Sequence, residues 1–222
     1  MAGQLAMTDD LLAYVEGISG PADAVLAGLR ADSAGLPGGT VMPVMPAEAA
    51  LLAWLVRLRG ARRVLEIGTY TGYGALAMAS ALPPGGRLVT CDVNPKWVAF
   101  ARPYWERAGV ADRIETVIGD ASASLDAMLA EDPSRSFDLI FVDADKANYP
   151  AYFERVVDLV VPDGLLVFDN TLLDGRVVDP GADDADTRGI RTVNELLRDD
   201  DRVDVCVLPL ADGVTLARRQ PS

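Results

Sequence analysis

Asp92, Asp120, Asp143 and Asp169 each close a short apolar run, and that placement gives their carboxylates chemical meaning. The runs are Arg87-Leu-Val-Thr-Cys, Ile114-Glu-Thr-Val-Ile-Gly, Phe137-Asp-Leu-Ile-Phe-Val and Leu165-Leu-Val-Phe. A fifth, Arg63-Val-Leu-Glu-Ile, passes into the glycine-rich turn Gly68-Thr-Tyr-Thr-Gly-Tyr-Gly74. A glycine directly after a strand lets the backbone come close to a ligand. An acid at the end of the next strand commonly accepts hydrogen bonds from a ribose diol, and Asp92 has that place relative to Glu66. Lys146, in Asp143-Ala-Asp-Lys146, stands at another strand end, and an amine can lose its proton where a guanidinium cannot. The chain has no histidine. His-based triads, the usual zinc sites and an imidazole base are therefore excluded.

The elements that must position these groups follow from the same runs. Short stretches rich in Val, Ile, Leu and Phe read as strands buried on both faces, and the intervals between them have helical length. The pattern is β-α-β-α, an α/β fold with a mostly parallel sheet. Open sheets of that kind bind ligands beyond the carboxyl ends of their strands, which is where the aspartates fall. Upstream, residues 8 to 36 carry helical patterns with Thr8 or Asp9 as the first N-cap. Residues 35 to 46 are too rich in Gly and Pro for regular structure. A helix over 47–58 leads into the first strand, and its stripe Leu51, Leu52, Leu55, Val56 and Leu58 reads as core. Downstream come a polar loop over 171–186, a helix over 187–199 and strands over 203–209 and 213–218. Ala211-Asp212-Gly213 is the hairpin signal between those strands. The expectation is one domain over 1–222, with N-terminal helices and a covering segment in 1–60 and the core in 61–222.

Composition narrows the class. The chain has 222 residues, half of them hydrophobic, a net charge of −13 and a pI near 4.3. That is ample for one core and the wrong sign for gripping nucleic-acid phosphates. Cys91 and Cys206 form no CxxC pair and read as small core residues in a reducing compartment. No basic n-region or long apolar stretch is present, so a cytoplasmic protein with no membrane association is expected. Lys96 reads as a surface residue, and Trp54, Trp97 and Trp105 as packing or interface residues. Two nucleotide signatures fail. The dinucleotide pattern needs glycines where Tyr70 and Tyr73 stand, and the phosphate loop needs a Gly-Lys-Ser/Thr that the chain lacks. The turn therefore faces a ligand without a pyrophosphate.

Val64-Leu-Glu-Ile-Gly-Thr-Tyr-Thr-Gly-Tyr73, Phe141-Val-Asp-Ala-Asp-Lys146 with Tyr149, and Phe168-Asp-Asn170 together resemble the cation-dependent, S-adenosylmethionine (SAM)-dependent O-methyltransferases. Catechol and caffeoyl-CoA O-methyltransferases belong to that group. The resemblance runs from about Met42 to the closing Asp212-Gly-Val-Thr-Leu-Ala217. It implies the class I methyltransferase fold, a Rossmann-like three-layer α/β/α arrangement with a seven-stranded sheet whose last strand is antiparallel. It also implies that Glu66, Gly68 and the turn Thr69, Tyr70 to Tyr73 border the methionine part of the cofactor. Asp92 would bind the ribose hydroxyls, Asp120 with Ala121 would meet the adenine, and Met42 and Val44 would belong to a covering segment. Asp143, counted with the cofactor site as well, matches a metal ligand, as do Asp169 and Asn170. Lys146 matches the catalytic lysine. Gly74 stands where the family often has a serine, which shifts the cofactor's carboxylate toward backbone amides. A homodimer is implied as well.

Two carboxylates and a carboxamide offer only oxygen, which suits magnesium first, or manganese or calcium, and leaves room for a chelating diol. Taken singly, Asp143 could be a helix N-cap and Asp169-Asn170 an Asx-type turn. Taken with Lys146 they describe a metal-assisted methyl transfer to a catechol-like or other small hydroxylated acceptor. Two rival enzymes are a tRNA nucleoside O-methyltransferase, opposed by the acidity, and a nicotinamide-dependent oxidoreductase, opposed by the failed dinucleotide pattern. A binding protein without catalysis fits least, because every proposed reactive position carries a competent residue.

Overall fold

The computed structural model describes residues 5–19, 23–131 and 136–221. Strands β1 (Arg63–Ile67), β2 (Arg87–Asp92), β3 (Ile114–Ile118), β4 (Phe137–Val142), β5 (Val160–Phe168), β6 (Val203–Leu208) and β7 (Val214–Arg219) form one sheet in the order β3-β2-β1-β4-β5-β7-β6. The pairs from β3 through β5 are parallel, and β7 runs antiparallel to both β5 and β6. The expected seven-stranded, mostly parallel sheet with an antiparallel last strand is present. The order reverses at β1, so β1 and β4 flank the crevice in which such sheets bind ligands.

Helices cover both faces. On one side lie α2 (Ala24–Ser33), α3 (Pro46–Arg59), α4 (Tyr73–Ala81) and α5 (Pro95–Arg107), whose Leu29, Leu52, Leu76 and Trp105 meet Val64 and Phe141 of the sheet. On the other lie α6 (Ala121–Glu131), α7 (Tyr149–Leu159) and α8 (Ala185–Asp199), packing Leu125, Phe153, Val156 and Ile190 against Leu65, Ile140 and Phe168. An N-terminal helix, α1 (Asp9–Ile18), starts at the expected cap, with Leu11 N donating to Thr8 Oγ1. Pro46 opens α3 and left-handed Gly60 ends it, the usual asymmetry of helix termini. Among the described residues no helix is long and apolar enough to cross a membrane.

Several expectations need correction. β5 begins at Val160, directly after α7, rather than near Leu165. Its Pro162-Asp163-Gly164 reads as a turn, yet it is an irregularity inside the strand, where the pairing with β4 shifts register. Gly164 is required there, because a Cβ would lie 2.5 Å from Val160 Cγ2. Cys91 is buried as expected, but Cys206 is exposed on edge strand β6. β3 is also an edge, and Glu115 and Ile118 are exposed, so it is not covered on both faces. In the α3 stripe Leu52, Leu55 and Val56 are core while Leu58 is exposed, as is Trp54. The loop over 171–186 is not featureless: it holds a tight turn pair at Leu173–Val178, and α8 starts two residues early.

Candidate functional site

Four strand ends are stitched together by three backbone hydrogen bonds. Gly68 N donates to Cys91 O at 2.9 Å, Asp143 N to Ile67 O at 2.8 Å and Asp169 N to Val142 O at 3.1 Å. The chain thus leaves β1, β2, β4 and β5 along one edge, above a cavity of about 670 Å³. Gly68 has φ 99°, and a Cβ there would meet Asp143 O at 1.9 Å. Only glycine lets β1 turn this close to β4. The cavity is lined by Met42, Val44, Gly68, Tyr70, Asp92, Asp120, Ala121, Asp143, Lys146, Asp169 and Asn170 from the sequence reading. Glu66, Thr69, Tyr73 and Gly74 do not line it. They sit one layer behind.

At the β1–β2 end the carboxylates are already engaged. Asp92 Oδ2 accepts from Thr69 N at 3.1 Å and Tyr70 N at 2.9 Å, while Oδ1 accepts from Asn94 N at 2.8 Å. This clamp holds Tyr70 at φ 43°, a conformation non-glycine residues seldom adopt and that surrounding structure must enforce. Tyr70 packs edge-on against Trp97, and its hydroxyl donates to Pro37 O at 2.8 Å, tying the turn to the segment that carries Met42 and Val44. Asp120 Oδ1 accepts from Ala123 N at 2.9 Å and caps α6. Glu66 is fully buried and accepts from Thr90 Oγ1 at 2.5 Å. Burial pushes its carboxyl up to about 8, against the pull of the Thr90 hydroxyl. A Cβ added at Gly74 would lie 2.6 Å from Glu66 Oε1, so the glycine in place of the family's serine makes room for that carboxyl.

At the β4–β5 end the charges are less settled. Lys146, on a single tight turn over Lys146–Asn148, donates from Nζ to Asp143 Oδ1 at 2.7 Å and to the Tyr149 hydroxyl at 2.9 Å. Burial and the surrounding acids raise the Tyr149 phenol well above its usual range, so it stays protonated. Asp169 is buried, and Asn170 follows it at φ 55° with its N–H on Asp169 Oδ1 at 2.6 Å. The bond spans one residue, and the Thr171 N–H two residues on donates to Gly213 O instead, so the Asx turn is not formed.

Sequence reasoning missed Glu48. It lies in the first turn of α3, is 1% exposed and shares a side-chain hydrogen bond with Asp169, while among the described residues its Oε1 has no hydrogen-bond partner. Burial first, then the Asp169 and Asp143 charges, raise the Glu48 carboxyl steeply; burial and Asp143 raise Asp169 as well. A signal existed: Glu48 is the only acid in an otherwise apolar and basic helix. Asp145, Tyr152, Asp186 and Asp212 also line the cavity and were not singled out. Tyr152 OH donates to Asp145 Oδ1 at 2.5 Å.

Among the described residues no group of three or more acidic or cysteine side chains is arranged to hold a metal ion. The donors at hand nonetheless suit a hard cation. Asp143, Asp169 and the Asn170 carboxamide present only oxygen, Lys146 already sets a positive charge against Asp143, and the buried Glu48 Oε1 lacks any partner.

A mostly parallel sheet with ligand-facing carboxylates at its switch point defines an α/β enzyme of nucleotide-cofactor type. The family described as O-methyltransferase matches residues 16–220. A caffeoyl-CoA O-methyltransferase of Zea mays is 45% identical over 181 residues, 78% of this chain and 69% of that protein. The O-methyltransferase of Bacillus cereus, solved with S-adenosylhomocysteine, superposes with a TM-score of 0.86 at 35% identity, over 95% of this chain and 97% of that one. The Streptomyces achromogenes O-methyltransferase TomG, involved in tomaymycin synthesis and solved with SAM, gives 0.87 at 32% identity over 97% and 100% of the two chains. The chain belongs to the O-methyltransferase family.

Proposed function

We propose that this enzyme transfers a methyl group from SAM to a hydroxyl of a small catechol-like acceptor, with the help of a divalent cation. One observation carries the reading: a single cavity joins the glycine turn and Asp92 at one end to Lys146, Asp143, Asp169 and Asn170 at the other. SAM bound in the structures of relatives supports the first end, and the oxygen-only donor set supports the second.

On this reading Asp92 and the Gly68 turn hold the ribose and methionine parts, with Asp120 and Ala121 beside the adenine. Met42 and Val44 close the cover over them. SAM supplies an electrophilic methyl, and a cation held by Asp143, Asp169 and Asn170 supplies charge that makes an acceptor hydroxyl more acidic. Lys146 Nζ, in its neutral amine form, would be the group placed to take the hydroxyl proton. The freed oxygen pair would then take the methyl group, the sulfur leaving with the C–S electron pair, and the residues that hold the two reactants in line would provide much of the rate.

The test is incubation with methyl-labelled SAM, a catechol panel and magnesium, with and without chelator. Label in the catechol, lost on chelation and restored by excess cation, is the expected result. Transfer that proceeds undiminished in chelator would remove the cation from the proposal, and no transfer to any hydroxyl would remove the proposal itself.

A further inference from the structure

On the footing of the methyl-transfer reading above, we infer that the acceptor is a free catechol that is uncharged or carries an ammonium group, and that coenzyme A thioesters and other anionic acceptors are turned away. The similarity to a caffeoyl-CoA enzyme points the other way. The charges around the cavity decide the matter.

Eight carboxyl-bearing side chains line the cavity, against a single basic one, Lys146. A divalent cation would offset Asp143 and Asp169, but Asp145, Asp186 and Asp212 remain on the acceptor side. Asp186 Oδ1 accepts from Ala147 N at 3.2 Å and Asp212 Oδ1 from Asp174 N at 2.6 Å. Asp145 accepts from the Tyr152 hydroxyl and from Asn148 Nδ2, both at 2.5 Å. All these donors are neutral. Among the described residues none of the three acids is hydrogen-bonded or ion-paired to a basic side chain; the charge of Lys146 acts on Asp212 from nearby, and Asp145 and Asp186 stand uncancelled at the mouth.

The arginines nearby cannot substitute. Arg176 pairs with Asp184 and Arg188 with Asp183. Arg191 is spent on the loop itself: it donates to Val177 O at 3.0 Å, Ala182 O at 2.9 Å, Arg176 O at 2.8 Å and Asp179 O at 2.5 Å. Arg30 donates to Val44 O at 3.3 Å. A cavity of about 670 Å³ must house cofactor and acceptor together, so a coenzyme A arm would cross the mouth. Its phosphates would meet Asp145, Asp186 and Asp212 with no guanidinium fork to receive them. The buried Glu48 Oε1 adds an acceptor without a donor on the same side, which favours ligands bringing N–H or O–H groups.

The experiment compares one catechol in four forms: methyl-substituted, aminomethyl-substituted, carboxylate-substituted and as a dihydroxycinnamoyl thioester of coenzyme A. Each is titrated with SAM and magnesium at low and high salt. The ammonium and neutral forms should exceed the carboxylate and the thioester by about tenfold or more in kcat/KM, with the gap shrinking at high salt. The double variant Asp186→Asn, Asp212→Asn keeps both accepting oxygens and should narrow the carboxylate-to-ammonium ratio. A thioester or carboxylate used as well as the ammonium form would overturn the inference while leaving methyl transfer intact. Failure of all four would sink both.

Discussion

The two ends of the cavity are built on opposite principles. At the β1–β2 end, every oxygen of the Asp92 carboxylate already accepts a backbone N–H, and Asp120 caps a helix. That end is complete before a ligand arrives, and its acids serve the backbone first. At the β4–β5 end, burial and the neighbouring charge of Asp143 raise the Glu48 and Asp169 carboxyls, and among the described residues Glu48 Oε1 has no hydrogen-bond partner. Among the described residues Lys146 is the one cation paired there, and on the proposed reading binding would finish that end. On the proposed reading the difference separates recognition from reaction: a rigid shelf would hold the cofactor, and an electrostatically strained corner would do the chemistry.

Lys146→Arg should produce the largest effect, because it touches only the strained corner. The ion pair with Asp143 can persist while the removable proton is lost, so single-turnover methylation should fall by roughly 10²-fold or more. SAM affinity measured by calorimetry should stay near that of the parent. A parent-like rate from pH 6 to pH 9, on the order of full activity, would show that the amine is only a charge and would blur the contrast between the two ends.

Asp92→Ala tests the shelf. Three backbone N–H groups lose their acceptor together, so both Tm and SAM affinity should drop, the latter by about 1.5–3 kcal/mol. Loss of SAM affinity with an unchanged Tm would mean that Asp92 serves the ligand and not the turn.

The smallest effect sharpens the comparison by pH. Glu66 stays protonated in the folded state up to about 8, whereas its ordinary value is 4.5. The native state therefore binds more protons than the unfolded chain between those values, and this group's contribution to stability declines as pH rises through that window. Glu66→Gln should melt close to the parent near pH 4 and above it near pH 8, the gap widening steadily across that window. A Tm difference independent of pH would show that the buried carboxyl is already ionised.

The shelf was legible in the sequence because it is local. A strand, a glycine turn and the acid closing the next strand are set by short-range pattern, and Gly68, Asp92 and Asp120 fall where that pattern puts them. The corner was legible only in part. Asp143, Lys146, Asp169 and Asn170 carry recognisable spacing, but Glu48 sits in a helix nearly a hundred residues upstream of Asp143 and reaches the site only through tertiary packing. In its own segment it looks like an acid placed favourably in the first turn of a helix. Glu66 and Gly74 were read as cofactor contacts, yet side chain and glycine fit each other behind the cavity, a relation no linear pattern displays. The start of β5 was hidden because Pro162, Asp163 and Gly164 have turn chemistry and strand pairing at once.

Arg191 has a consequence for how such a protein can change. Its guanidinium fastens residues 176–182 through four main-chain carbonyls and reads none of their side chains. A fold held that way is indifferent to the identity of what it holds. Mutation can change the side chains that residues 176–182 display while the loop keeps its course, so new surface chemistry becomes reachable by single substitutions without passing through an unfolded intermediate in sequence space.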